Sequence, residues 1–321
     1  MSLTICVTTP EGIVLAADSR QSYQNVVGAS RIGSDSATKI YPVGNNIGVT
    51  VAGPAFLKDP DNPGQTRGIG TFIQEVIEDI SKKDTVDSVA EKLKSHLENI
   101  YKPSEQLKII GNELEKQIVQ IGGTIVKKEK APHNEGMLIE YTDKEGKPQK
   151  AIGQIMPISL IVAGFDKTPA GKSGLNAFLV HIPGIKEHKR QHGHPNQFGA
   201  TWTGQTDVIS RVVLGYDQRM NNLLFIQAAR QNMGNDKVNE QLQSLEYIIN
   251  WGAMTLPDAV DFAKLMIQTT SAIQRFSDGI PMLPGDIPGV GGPVDVAIIL
   301  PEKGFHWHQT KELKLEKPEM S

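Results

Sequence analysis

The sequence predicts an α+β domain built on antiparallel sheets, and three observations carry that reading. Strand-like runs separated by turn residues stand at both ends of the chain. Stretches with helical periodicity follow the first strand pairs, and others precede the last ones. The turns Pro10-Glu11-Gly12 and Gly44-Asn45-Asn46 have the chemistry of hairpins, which join antiparallel strands.

The first hairpin organises the rest. Residues 3–7 alternate apolar with small or polar side chains and are rich in β-branched residues, so they predict a strand. After the turn, residues 13–17 form a short apolar run that ends in Asp18. A hairpin of this length folds back on itself, which should bring Asp18 close to Ser2. If Met1 is removed, as the small Ser2 favours, Ser2 carries a free amine beside its hydroxyl, with a carboxylate nearby.

Composition narrows the function classes. A chain of 321 residues can bury a sizeable core. Its 39% hydrophobic and 21% charged residues are those of a soluble globular protein. The net charge of −3 gives no electrostatic footprint for nucleic acid, and no apolar run reaches transmembrane length. The single Cys6 excludes an internal disulfide and a multi-cysteine metal site, and its strand context predicts a buried thiol. The absence of a basic residue before the first apolar run argues against a secretory signal and for a cytoplasmic location.

Further along, residues 21–36 are polar and Gly/Ser-rich and predict a loop. Lys39 opens a strand that turns at residues 44–46 and returns through residues 47–53, ending in Gly53. The ordered set Ser2, Asp18, Lys39, Gly53 is more specific than any member of it. Together with Gly12-Ile13-Val14-Leu15-Ala16-Ala17-Asp18-Ser19-Arg20, it resembles the opening of proteasome β-type subunits and bacterial proteasome-like peptidases. These are N-terminal nucleophile hydrolases. The resemblance implies a four-layer αββα sandwich with Ser2 as nucleophile where the family has threonine. It also implies Asp18 and Lys39 as charged partners, Gly53 as oxyanion donor, and Ser22 as a residue whose backbone pairs with bound peptide.

The middle of the chain predicts three helices. Ile69, Phe72, Ile73, Val76, Ile77 and Ile80 share one face; Val86, Val89, Leu93 and Leu97 share a second; Leu107, Ile110, Leu114 and Ile118 share a third. The family has two helices here, so residues 103–149, with a hairpin over 124–126 and 137–141, read as an insertion. Shared pattern resumes with strands over 158–166 and 177–181. Ala170-Gly171-Lys172-Ser173 lacks the earlier glycine of a phosphate loop, since position 166 is aspartate. His188, His192 and His194 read as a solvated loop rather than a metal site.

Residues 198–204 lead into a helix from Asp207 that is predicted to run on past Tyr216, followed by residues 242–249; residues 217–252 read as a second insertion. Gln205 stands where the family has a hydroxyl. Thr255 and Pro257 start a helix with Ala259, Phe262, Leu265 and Met266 inward. Gly291-Gly292 match the family's turn, but Val290 and Ile287 replace its serine and acid. Residues 305–308 are the last strand, and residues 311–321 a charged tail. The whole reads as one domain with two insertions.

The implied chemistry follows from the groups. A serine hydroxyl needs a base, and a free α-amine with an ordinary pKa of about 7.7–8.0 can be that base. A nearby lysine ammonium would keep the amine neutral. A backbone N–H at Gly53 would stabilise the oxyanion by about 3 kcal/mol. The resemblance implies no cofactor and no metal. It also implies a homo-oligomeric ring or array acting on peptides or unfolded protein, with room for an ATP-dependent unfoldase. Two other classes fit the same residues: a non-cleaving structural subunit, which Gln205 and Val290 favour, and a small-amide hydrolase. Activity lost in Ser2→Ala separates the enzymes from the scaffold.

Overall fold

The computed structural model describes residues 2–24, 30–131, 135–167, 173–184, 186–188, 198–277, 279–280, 283–284 and 288–311. The chain is a mixed α/β protein with several antiparallel sheets. It begins with β1 (Leu3–Thr9) and β2 (Gly12–Asp18), joined by the expected tight turn. Residues 21–36 are not a loop throughout. They form β3 (Gln21–Gln24) and β4 (Ser30–Ser34), a small hairpin with Tyr23 and Ile32 exposed. Backbone pairing makes that hairpin, so no apolar alternation announces it. β5 (Ile40–Val43) and β6 (Ile47–Ala52) follow as predicted.

β7 (Phe56–Lys58) and β8 (Thr66–Gly68) close a loop before α1 (Ile69–Glu78). α2 (Val86–Tyr101) starts at a capping box in which Thr85 and Ser88 satisfy each other's amides. Pro103 starts α3 (Pro103–Gln120). The predicted hairpin that follows is a three-stranded sheet: β9 (Thr124–Lys130), β10 (Gly136–Thr142) and β11 (Pro148–Gln154). β11 escapes prediction because it is a mostly exposed edge strand whose ladder to β10 is made by backbone alone. β12 (Ile158–Lys167), β13 (Ser173–Ile182) and β14 (Lys186–His188) then pair in sequence order.

β15 (Gly199–Gly204) leads to α4 (Asp207–Leu214). The predicted run through Tyr216 is wrong: Gly215, at φ 80°, ends the helix in a left-handed cap. A 3₁₀ turn (Gln218–Asn222), α5 (Leu224–Met233) and α6 (Asn235–Gln243) follow, so residues 244–249 are not helical. α7 (Leu256–Phe276) starts at the Thr255 cap as expected, but Leu265 faces solvent, while Val260, Ala263 and Ile267 are buried. Two short strands, β16 (Gly279–Ile280) and β17 (Leu283–Pro284), precede β18 (Val294–Leu300) and β19 (Gly304–Gln309).

Contacts divide the chain into two units, Met1–Thr50 with Arg190–Ser321, and Val51–Lys189. In the first, the sheet runs β15-β1-β2-β18-β19, antiparallel throughout. β1 and β2 are buried on both faces. Leu3, Ile5, Val7, Val14 and Ala16 pack with Ala259, Val260, Ala263 and Met266 of α7. On β1, Thr4, Cys6 and Thr8 alternate with the residues of that core, and the Thr50 hydroxyl donates to the Thr4 hydroxyl at 3.0 Å. In the second unit, α2 packs on β12 and β13, and α3 packs on the β9–β11 sheet through Leu107, Met137 and Ile155.

Candidate active site at the chain start

Antiparallel register builds the site. Thr4 faces Ala17, so the end of β2 lies beside the start of β1, and the Leu3 amide donates to Asp18 Oδ1 at 3.0 Å. Asp18 is fully buried. Lys39, immediately before β5, donates from Nζ to the same Oδ1 at 2.7 Å and to the Arg20 carbonyl at 2.6 Å. Oδ2 accepts the backbone amides of Arg20 at 3.1 Å and Gly291 at 3.0 Å. Four donors fill the acceptor capacity of one carboxylate. The buried charge is therefore fully hydrogen-bonded, the condition under which such a group is tolerated.

The structure thus brings Ser2, Asp18 and Lys39 to one corner. Ser2 is buried, and its carbonyl accepts the Gln205 amide at 2.7 Å. Ser22 sits on β3, half-buried, across from Ile32. Gly53 belongs to the second unit. Its φ of 134°, and the Pro157 carbonyl 2.6 Å from where a Cβ would stand, admit no side chain there. Met1, residues 170–172, His192, His194 and Ile287 lie outside the described residues.

Burial drives the Lys39 pKa down, against the attraction and hydrogen bond of Asp18; the charges of Lys311 and Arg20 push it further down. Arg20 makes two hydrogen bonds to Asp35, Nε–Oδ1 at 2.7 Å and Nη2–Oδ2 at 3.0 Å, which hold the Asp35 carboxyl below its ordinary range. Lys311 Nζ reaches the Ser19 hydroxyl at 3.2 Å and pairs with the buried Asp295. These ion pairs could not be read from sequence. Arg20 was visible only as part of a motif, and Lys311 only as the head of a charged tail. Gln274 was missed altogether: it links Gln205 to the Val290 amide from the last turn of α7.

Burial pushes the Cys6 thiol up to about 12, which leaves it unreactive at neutral pH. Among the described residues, no group of three or more His, Cys, Asp or Glu side chains could hold a metal ion. Nor is any helix among them long and apolar enough to cross a membrane. What the corner offers is acid–base chemistry: a serine at the chain start, a buried carboxylate and a buried lysine of weakened basicity.

No family model and no curated protein matches the chain. Solved structures that match the chain include an Anbu (Gly-1) mutant from Hyphomicrobium sp. strain MC1. It is 11% identical, with a TM-score of 0.43, over 97% of this chain and 86% of that one. Anbu (ancestral beta-subunit) from Yersinia bercovieri is also 11% identical, with a TM-score of 0.40, over 95% of this chain and 86% of that one.

Proposed function

We propose that the protein is a proteasome-like N-terminal nucleophile hydrolase that cleaves peptide bonds, with Ser2 as nucleophile once Met1 is lost. The observation that carries this reading is the buried Asp18–Lys39 pair, whose carboxylate also takes the amide of Leu3, next to Ser2. Apolar residues of similar volume would hold the fold equally well, so a buried, fully bonded ion pair at the chain start points to chemistry.

In this reading the free amine of Ser2 takes the hydroxyl proton as the oxygen attacks the substrate carbonyl. The Lys39 charge favours the neutral amine, and Asp18 fixes Lys39 against the first strand. The sequence pattern alone assigns the oxyanion-donor role to Gly53 and backbone pairing with an extended peptide to Ser22. The amine returns its proton to the leaving group, and water then hydrolyses the acyl-enzyme. The fold is an αββα sandwich, and the working form is a cytoplasmic homo-oligomeric ring or array that an unfoldase can feed.

Intact mass of protein from its native host should show loss of Met1, and periodate should then oxidise the N-terminal amino alcohol to an aldehyde. Ser2→Ala should abolish hydrolysis of peptide amides while leaving assembly intact. Retention of Met1 in all molecules, or full activity in Ser2→Ala, sinks the reading.

A further inference from the structure

Resting on that reading, we propose that Gln274 is a positioning residue for the Ser2 terminus, acting through Gln205. The hydrogen bonds around the chain start close into a ring. Ser2 C=O accepts the Gln205 amide at 2.7 Å. Gln205 Oε1 accepts Gln274 Nε2 at 2.7 Å, and Gln274 Oε1 accepts the Val290 amide at 2.9 Å. The next residue, Gly291, donates its amide to Asp18 Oδ2 at 3.0 Å, and Asp18 Oδ1 accepts the Leu3 amide at 3.0 Å, which returns the ring to Ser2. Three separate segments, the ends of β15 and α7 and the loop before β18, are thereby tied to one terminus.

The direction of the ring is fixed by chemistry. A backbone N–H can only donate, so Gln274 must turn its oxygen to Val290. Its NH₂ then faces Gln205, which must answer with its own oxygen. Only a side chain that both accepts and donates fills position 274 without rearranging the ring. Both residues that depart from the family pattern take part in the ring. Gln205 supplies a backbone donor to Ser2 and a side-chain acceptor to Gln274, and Val290 contributes its backbone amide. The relay reaches back from these two positions to α7. The charged groups around the terminus are Asp18 and Lys39, then the pairs Arg20–Asp35 and Lys311–Asp295. The relay itself is neutral, so it orients the terminus without changing that balance.

Two variants of the full chain test this. In Gln274→Leu the ring opens. Hydrogen exchange of the Leu3 and Gly291 amides should rise at least tenfold, with the α7 core at residues 259–267 unchanged. Modification of Ser2 by an electrophile that bridges hydroxyl and amine should slow at least tenfold. In Gln274→Glu, a flipped Gln205 can keep the ring closed while a negative charge is added. Exchange should stay as in wild type, and the pH at which Ser2 becomes reactive should move upward. Unchanged exchange in Gln274→Leu, or an unmoved pH profile in Gln274→Glu, overturns the proposal. Faster exchange in Gln274→Leu with a wild-type Ser2 that never reacts leaves the positioning role standing and removes the proposed catalysis. The two failures are therefore distinguishable.

Discussion

Two acid–base clusters in the first unit look alike in a table of charges and differ in what they are built for. At the chain start, fully buried Asp18 meets one lysine and three backbone amides, and Lys39 is itself nearly buried. In the insertion after α4, Asp217 meets two arginines. Arg219 donates Nε at 2.9 Å and Nη2 at 2.7 Å to it, the Arg219 amide adds a bond at 2.8 Å, and Arg211 contacts it from a side chain more than half exposed. The guanidinium fork matches a carboxylate and stays charged at any ordinary pH. The hydrogen bonds from Arg219 hold the Asp217 carboxyl well below the usual range. That is a guanidinium clamp on a buried carboxylate at a turn. A buried lysine, by contrast, has a charge that its surroundings weaken, and the proposed proton chemistry rests on that adjustability.

The largest expected effect breaks the first cluster. Asp18→Asn leaves the Lys39 ammonium buried without its counter-charge, and should cost about 3–5 kcal/mol in urea unfolding as well as all activity. Lys39→Met should reverse that balance. Asp18 keeps three amide donors, so the urea midpoint moves less than in Asp18→Asn, while peptide hydrolysis falls at least a hundredfold. If the two variants lose stability and activity in the same proportion, the corner is only a structural pair. Asp217→Asn should cost less than Asp18→Asn, because the arginines it leaves behind keep partial contact with water, with peptide hydrolysis unchanged.

Acid separates the clusters in another way. The Asp217 carboxyl is depressed in the fold, so its contribution is present above the ordinary aspartate range and is lost as pH falls through that range toward the folded value. The Asp217→Asn penalty should therefore be full at pH 7 and shrink at pH 3 by urea titration. A penalty independent of pH would show that packing, not charge, holds that turn. The smallest effect is at Cys6, whose thiol lies at about 12. Native protein should resist alkylation at pH 8 and react only after unfolding, and Cys6→Ala should leave hydrolysis within twofold.

The sequence by itself determined whatever depends on neighbours along the chain. The β1–β2 hairpin, its turn, the caps at Thr85 and Thr255 and the start of α3 at Pro103 are local matters of φ, hydrogen-bond donors and apolar period. The same local logic placed Asp18 opposite the chain start, because a two-residue turn fixes antiparallel register. Lys39 was named as its partner only through the family resemblance; the tertiary structure alone brought the Gly291 amide to that carboxylate and Gln274 to the neighbouring Val290 amide. No period in the sequence encodes a side chain that bonds across elements. Backbone-only pairings, such as the exposed β3–β4 hairpin and β11, were equally silent, since every residue carries the same N–H and C=O. Residue identity records what a side chain needs; where that need is met is set by the fold.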